Sequence, residues 1–159
     1  MGETKKNGSA GRSSDVDKAD LQWLSGIFKK VEIFDGFTVS EVNQLIDEME
    51  KFVFDKGDVI FKEGDVPDAF YIVYSGVVKV QRKKFFRQVK VSHLGTTEFF
   101  GEMAFLTYKP RVATVIAEER TVCFILFKST FQSLLEKNPA FKDRLKRLSF
   151  KRALELRKI

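Results

Sequence analysis

Two kinds of apolar spacing divide this chain. Leu21, Trp23, Leu24, Ile27 and Phe28 recur at the interval of a helix, and Val42, Leu45, Ile46 and Met49 form one apolar stripe along 41–50, just behind Ser40. Further on the period shortens. Segments 52–54, 59–61, 69–74, 77–82, 88–94, 112–118 and 122–127 are rich in β-branched and aromatic residues and are separated by turn signals, as short strands are. Frequent short strands of this kind predict a β-roll or jelly-roll. Ser129 then caps a predicted helix to about Glu136, Asn138-Pro139 marks a break, and a last helix is expected from Ala140 to about Arg157. In it Phe141, Leu145 and Leu148 share one stripe, whereas Phe150 and Leu154 fall on another side, so a single packing face does not account for all of them. Residues 1–18, rich in Lys, Gly and Ser without apolar period, read as a disordered leader or linker, which leaves 19–159 as the domain. The expected class is mainly β with flanking helices.

Chemistry concentrates in the run from Phe100 to Thr114. Gly101 permits close backbone approach, and a helical turn starting there leaves unpaired N–H groups where an anion is favoured. Arg111 supplies a charged guanidinium fork suited to phosphate oxygens. Glu102 when ionised only accepts hydrogen bonds, so it suits a sugar hydroxyl better than a phosphate. The implied ligand is a ribose bearing a phosphate. Taken alone, Glu102 and Arg111 would more ordinarily be a surface ion pair, worth under about 1 kcal/mol. Gly57, Gly64, Gly76 and Gly101 serve equally well as plain turn residues, and Phe100, Met103, Phe105 and Leu106 as core.

The whole segment resembles the phosphate-binding cassette of cyclic nucleotide-binding domains, the family of kinase A regulatory subunits, cyclic-nucleotide-gated channels and the bacterial catabolite activator. Lys56-Gly57-Asp58-Val59-Ile60-Phe61-Lys62-Glu63-Gly64-Asp65, Phe70-Tyr71-Ile72-Val73 and Ser75-Gly76-Val77-Val78-Lys79-Val80 resemble the glycine-punctuated strands of the same family, and the likeness covers roughly residues 24 to 157. It implies a double-stranded β-helix (jelly-roll-like) with N-terminal helices, a short phosphate-binding helix, and C-terminal hinge and lid helices. It implies further that Arg111 pairs with the cyclic phosphate, that Glu102 accepts the ribose 2′-OH, and that N–H groups near Gly101 and Ala104 complete the cradle. The implied ligand-binding residues are Gly101, Glu102, Met103, Ala104, Arg111, Val112 and Ala113, with Ala104 and Ala113 small where the ligand comes close. In cGMP-selective relatives a Thr or Ser often follows the cassette arginine. Val112 offers no hydroxyl there, which favours cAMP, with cGMP as the alternative ligand. The last helix resembles the mobile lid that closes over the base, and Phe150 and Leu154 are expected either there or against the N-terminal helices or a dimer mate.

Composition narrows the remaining classes. The chain has 159 residues, 43% hydrophobic with 17 Phe, enough for one domain with a proper core. No apolar run reaches the roughly 20 residues of a membrane span, and Met1 to Lys6 lack the apolar core of a secretory signal, so a cytoplasmic protein is expected. One Cys (Cys123) and one His (His93) do not make the usual metal site, and no nucleophile–base pair recommends an enzyme; no cofactor beyond the cyclic nucleotide is expected. No DNA-reading helix-turn-helix is recognised, so the expected output is a regulated partner protein or an effector domain lying elsewhere. The net charge of +6 leans on the C-terminal helix, where a solvated face is the ordinary explanation. That charge, with Lys83-Lys84-Phe85-Phe86-Arg87, keeps a second class open: a basic scaffold binding nucleic acid or an anionic surface.

Overall fold

The strands at the centre of the chain are apolar on both faces, and the fold explains why. The computed structural model describes residues 11–157. Its elements run β1 (Arg12–Ser14), α1 (Lys18–Lys30), a 3-10 turn (Glu32–Phe34), α2 (Val39–Glu48), β2 (Glu50–Phe54), β3 (Val59–Phe61), β4 (Ala69–Ser75), β5 (Val78–Lys84), β6 (Arg87–Leu94), β7 (Phe99–Phe100), α3 (Met103–Thr107), β8 (Thr114–Ala117), β9 (Thr121–Phe127), α4 (Lys128–Lys137) and α5 (Pro139–Arg157). They form two sheets, ordered β1-β2-β9-β4-β7 and β3-β8-β5-β6, which face each other without closing into a ring. Along β4, Ala69, Tyr71 and Val73 point between the sheets, whereas Phe70 and Ile72 point outward to the helices. Along β9, Cys123 and Ile125 point inward, and Phe124 and Leu126 outward. The period of two is therefore intact, but helices cover the second face, so the sequence shows a continuous apolar run.

Aromatic stacking cements both layers. Tyr71 lies on Phe100 between the sheets at 4.8 Å, and Phe70 lies on Phe131 of α4 at 4.5 Å. The helical layer joins α1, the 3-10 turn, α2, α4 and the first half of α5, with Phe34 stacked on Phe141 at 5.8 Å. Both N-terminal helices open with reciprocal capping boxes, Asp17 with Asp20 and Thr38 with Glu41.

Several expectations are corrected. The second helix starts at Val39 behind Thr38, not behind Ser40, and Glu50 already belongs to β2. Ser129 lies inside α4, whose N-cap is Phe127 and which has no side-chain cap. Part of the expected leader is structured: Arg12–Ser14 pairs with Lys51–Val53 as an edge strand. Arg12 reaches Asp55 at 2.7 Å, and Gly11 lies so close to the Phe54 ring that no Cβ would fit. Composition alone could not reveal a strand held by its neighbour's edge. The rest of the expected leader, residues 1–10, lies outside the described residues. Among the described residues no helix is long and apolar enough to cross a membrane, and no cluster of three or more potential metal ligands occurs.

Candidate functional site

The two sheets and α5 enclose a cavity of ≈ 350 Å³, at the small end of the range for ligand pockets. Its floor is the segment that follows β7. Gly101 adopts φ +92, and a Cβ there would sit 3.1 Å from both the Ala69 carbonyl oxygen and Arg111 Nη1. Only glycine meets both conditions. α3 follows at once and is terminated by Tyr108 in the left-handed conformation, and the chain then returns to Arg111. There the backbone is pinned to the 62–65 turn: Arg111 N–H donates to Asp65 O at 2.9 Å, and Gly64 N–H to Arg111 O at 2.8 Å.

Arg111 is 3% exposed and almost wholly engaged. Nη1 donates to Gly101 O at 2.8 Å, Nη2 donates to Ala69 O at 2.7 Å and to Asp68 Oδ1 at 3.1 Å, and the guanidinium lies 4.0 Å over the Phe61 ring. Tyr71 steadies Asp68 through its hydroxyl at 3.5 Å. Burial lowers the basicity of Arg111, opposed by Tyr71, Asp68 and Glu102; the same burial, with Asp68 beside it, raises the Tyr71 phenol well above its ordinary value. One donor is left over: Arg111 Nε is buried and without a hydrogen-bond partner. A buried unsatisfied donor on a cation costs free energy, and this one belongs to a residue of the cavity lining.

Glu102, 1% exposed, is not paired with Arg111 as a surface ion pair would be. Its Oε1 accepts from Arg152 Nη1 at 2.7 Å and from Ser149 Oγ at 3.3 Å, both on α5, and Arg152 Nη2 donates to Phe99 O at 2.7 Å. Arg152 also lies 4.9 Å over the Phe99 ring. The C-terminal helix is thus latched to the cavity floor by a charge-assisted bond between a buried carboxylate and a partly exposed guanidinium.

All seven residues expected at the site line this one cavity: Gly101, Glu102, Met103, Ala104, Arg111, Val112 and Ala113. Phe100 lines it too, besides packing in the core, while Phe105 is purely core. Of the places expected for Phe150 and Leu154, the structure excludes the base side of the cavity and the N-terminal helices, and a dimer mate is left as the expectation. Both are exposed, at 65% and 41%, and α5 turns Leu148, Lys151, Arg152, Glu155 and Leu156 into the cavity instead. The reason is rotational: once Phe141 and Leu145 are fixed in the helical core, the next turns present Leu148 and Arg152 to the floor and Phe150 to solvent. Sequence reading missed Asp68, Ser149 and Arg152, because each acts across more than 40 positions. A polar or charged residue amid the apolar positions of α5 was the one available signal. The opposite wall, Val80 on β5 and Val91, Ser92, His93 and Leu94 on β6, was likewise unmarked.

Residues 51–138 match the family model described as "Cyclic nucleotide-binding domain". A cAMP-dependent protein kinase regulatory subunit of Mucor circinelloides f. lusitanicus is 39% identical over 95 residues, which is 60% of this chain and 22% of that protein. A cGMP-dependent protein kinase of Plasmodium berghei is 32% identical over 118 residues, 74% of this chain and 13% of that protein. The chain therefore spans less than a third of the length of these curated relatives. Among solved structures, the regulatory domain of Toxoplasma gondii PKA in co-crystal with cAMP superposes with a TM-score of 0.74 at 25% identity, covering 82% of this chain and 50% of that one. The match to the family model, the shared double-sheet architecture and the cassette on the cavity floor lead to one assignment: this chain belongs to the cyclic nucleotide-binding domain family.

Proposed function

We propose that this chain is a non-enzymatic receptor module that binds cAMP in the cavity and signals through α5. The observation that carries the reading is the orphaned Arg111 Nε–H, a buried cationic donor on a residue of the cavity lining, beside a glycine whose Cβ would crowd the Arg111 guanidinium and the Ala69 carbonyl. A cyclic phosphate supplies the missing acceptor. Met103 and Ala104, the first residues of α3, bring helix-start N–H groups to the same wall, where Val112 and Ala113 leave room for the sugar phosphate.

Glu102 then has two tasks. Its Oε1 holds Arg152 and Ser149, while Oε2, which neither engages, is left to accept the ribose 2′-OH. Ribose and lid thus meet on one carboxylate, and the base lies between the β5–β6 wall and Leu148, Lys151, Glu155 and Leu156 of α5. A ligand that touches both floor and lid prefers the closed arrangement and shifts the population toward it by that preference alone. Relatives named as kinase regulatory subunits support a regulated partner protein as the receiver of the signal, and the buried Cys123 thiol fits a reducing, cytoplasmic setting.

Thermal melting with cAMP, cGMP and AMP tests the reading. Binding to the folded state alone raises stability by about 2.7 kcal/mol at a ligand concentration one hundred times Kd. The expected result is an upward shift with cAMP, a smaller one with cGMP, whose guanine finds no hydroxyl at Val112, and little with AMP. No shift with either cyclic nucleotide at about millimolar concentration overturns the receptor reading. A larger shift with cGMP transfers the preference to guanine.

A further inference from the structure

The ribbon formed by β5 and β6 outruns the sheet that carries it. β8 pairs with β5 only from Val78 to Gln81, whereas β5 and β6 continue to pair through Arg82↔Val89, Lys83↔Gln88 and Lys84↔Arg87. The closing turn, Phe85-Phe86, therefore stands about 10 Å beyond the last residue paired to β8, three residues at strand rise. Phe85 is 83% exposed and Phe86 is 99% exposed, and neither ring touches another among the described residues.

The turn is also conformationally unfavourable. Phe85 has φ 58, the left-handed region that two-residue hairpin turns ordinarily fill with Gly, Asn or Asp. A bulky aromatic there is a true outlier, and backbone strain of this kind concentrates where a segment has a task other than folding. The shoulders of the tip add charge. Residues 82–90 contain Arg82, Lys83, Lys84, Arg87 and Lys90 and no acidic residue. Two carboxylates meet the ribbon: Glu63 accepts from the Lys83 backbone N–H at 3.1 Å, and Glu118 pairs with His93 at 2.6 Å, at the end of β6 far from the tip.

We propose that this tip docks the chain on an anionic lipid surface, with Phe85 and Phe86 entering the boundary between headgroups and acyl chains and the five cations facing lipid phosphates. Apolar rings at an apex with cationic shoulders suit a planar surface that is negative outside and apolar just beneath. Single-stranded nucleic acid fits less well. Stacking platforms lie along a groove that tracks the phosphate backbone, and a narrow two-stranded ribbon has no groove beside its apex. The inference does not rest on nucleotide binding, since residues 82–90 line no part of the cavity.

Sedimentation with vesicles tests it, using phosphatidylcholine alone and phosphatidylcholine with about 30% phosphatidylserine. The chain should sediment with the anionic vesicles and remain in solution with the neutral ones. The paired substitution Phe85→Asn and Phe86→Ser should cut the bound fraction at least about 10-fold, and a rise from about 0.1 to about 0.5 M salt should weaken binding of the native chain. Asn is at home in the left-handed region, so the variant should melt no lower than the native chain, which separates loss of docking from loss of fold. Failure of the native chain to bind anionic vesicles overturns the proposal. So does equal binding by the variant, which would move the contact to the cations of α5. Retention of a single-stranded oligonucleotide through Phe85 and Phe86, without vesicle binding, also overturns it and assigns the tip to nucleic acid.

Discussion

At the residue scale the site is a matter of which polar atoms are spent and which are left. Arg111 spends Nη1 and Nη2 on Gly101, Ala69 and Asp68, so the protein, not the ligand, fixes its direction. Truncating one partner of a desolvated charge pair costs about 2–5 kcal/mol, so Arg111→Ala should weaken cAMP at least about 30-fold by calorimetric titration. Glu102→Ala should cost less, about 10-fold, because the ribose contact is ionic on one side only. The reverse ranking, with both variants folded, would mean that the roles of the two residues are exchanged. Arg111 and Glu102 were picked out in the sequence by the resemblance of the whole run from Phe100 to Thr114, but the partners that orient them were not. Cys123 illustrates the opposite case. Its thiol is fully buried and burial pushes it far above its ordinary value, so it should resist alkylation in the native protein and react once the protein is unfolded in denaturant.

At the element scale α5 is one helix with two anchorages. Its first half belongs to the helical layer: Phe141 and Leu145 are 1% and 0% exposed, and Arg144 donates to the carbonyls of Ile33 and Asp35. Its second half is held to the cavity floor by Ser149 and Arg152 on Glu102 and by Leu156. Two of the C-terminal cations, Arg144 and Arg152, are therefore fastened by hydrogen bonds to the rest of the molecule and Lys151 lines the cavity, while Lys146 and Arg147 form the solvated face that the charge run suggested. The sequence showed two apolar stripes and inferred a lid from the whole helix. The structure narrows the expected movement to the half beyond Leu148, because only that half depends on the cavity. Hydrogen exchange should slow on adding cAMP between Ser149 and Arg157 and change little at Phe141–Leu145 or in the strands around Ile72 and Phe124. Arg152→Ala should abolish most of that difference while leaving the phosphate contact in place. Equal exchange in both states would place the output in α1 and α2 instead.

At the scale of the whole molecule, α1 is tied to the first sheet by an ion pair, Asp20 with Lys51 of β2 at 2.8 Å, as α5 is to the cavity floor by Arg152 and Glu102. Burial raises the Asp20 carboxyl, but Lys51 and the Asp17 N–H outweigh it and hold it below its ordinary value. A carboxyl lowered in the folded state adds stability above its unfolded pKa, and that stability is lost as pH falls through the lower, folded value. Acid melts should show this loss below about pH 4, and Asp20→Asn should flatten it while costing about 1–3 kcal/mol at neutral pH. An unchanged acid limb in the variant would assign the loss to other carboxylates. The sequence by itself determined the order of most strands and the turn of helix after Gly101, because these rest on local spacing and glycine geometry, while the seven expected site residues came from the family resemblance and all line the cavity. It missed the edge strand Arg12–Ser14 and the short strand Phe99–Phe100, and it left open which side of α5 faces the cavity. Only the tertiary structure decided that Arg111 leans on Asp68, that Glu102 is shared with Arg152, and which turns of α5 look into the cavity. Each of those is a contact between segments 40 or more positions apart, set by how the layers pack, and local periodicity carries no term for it.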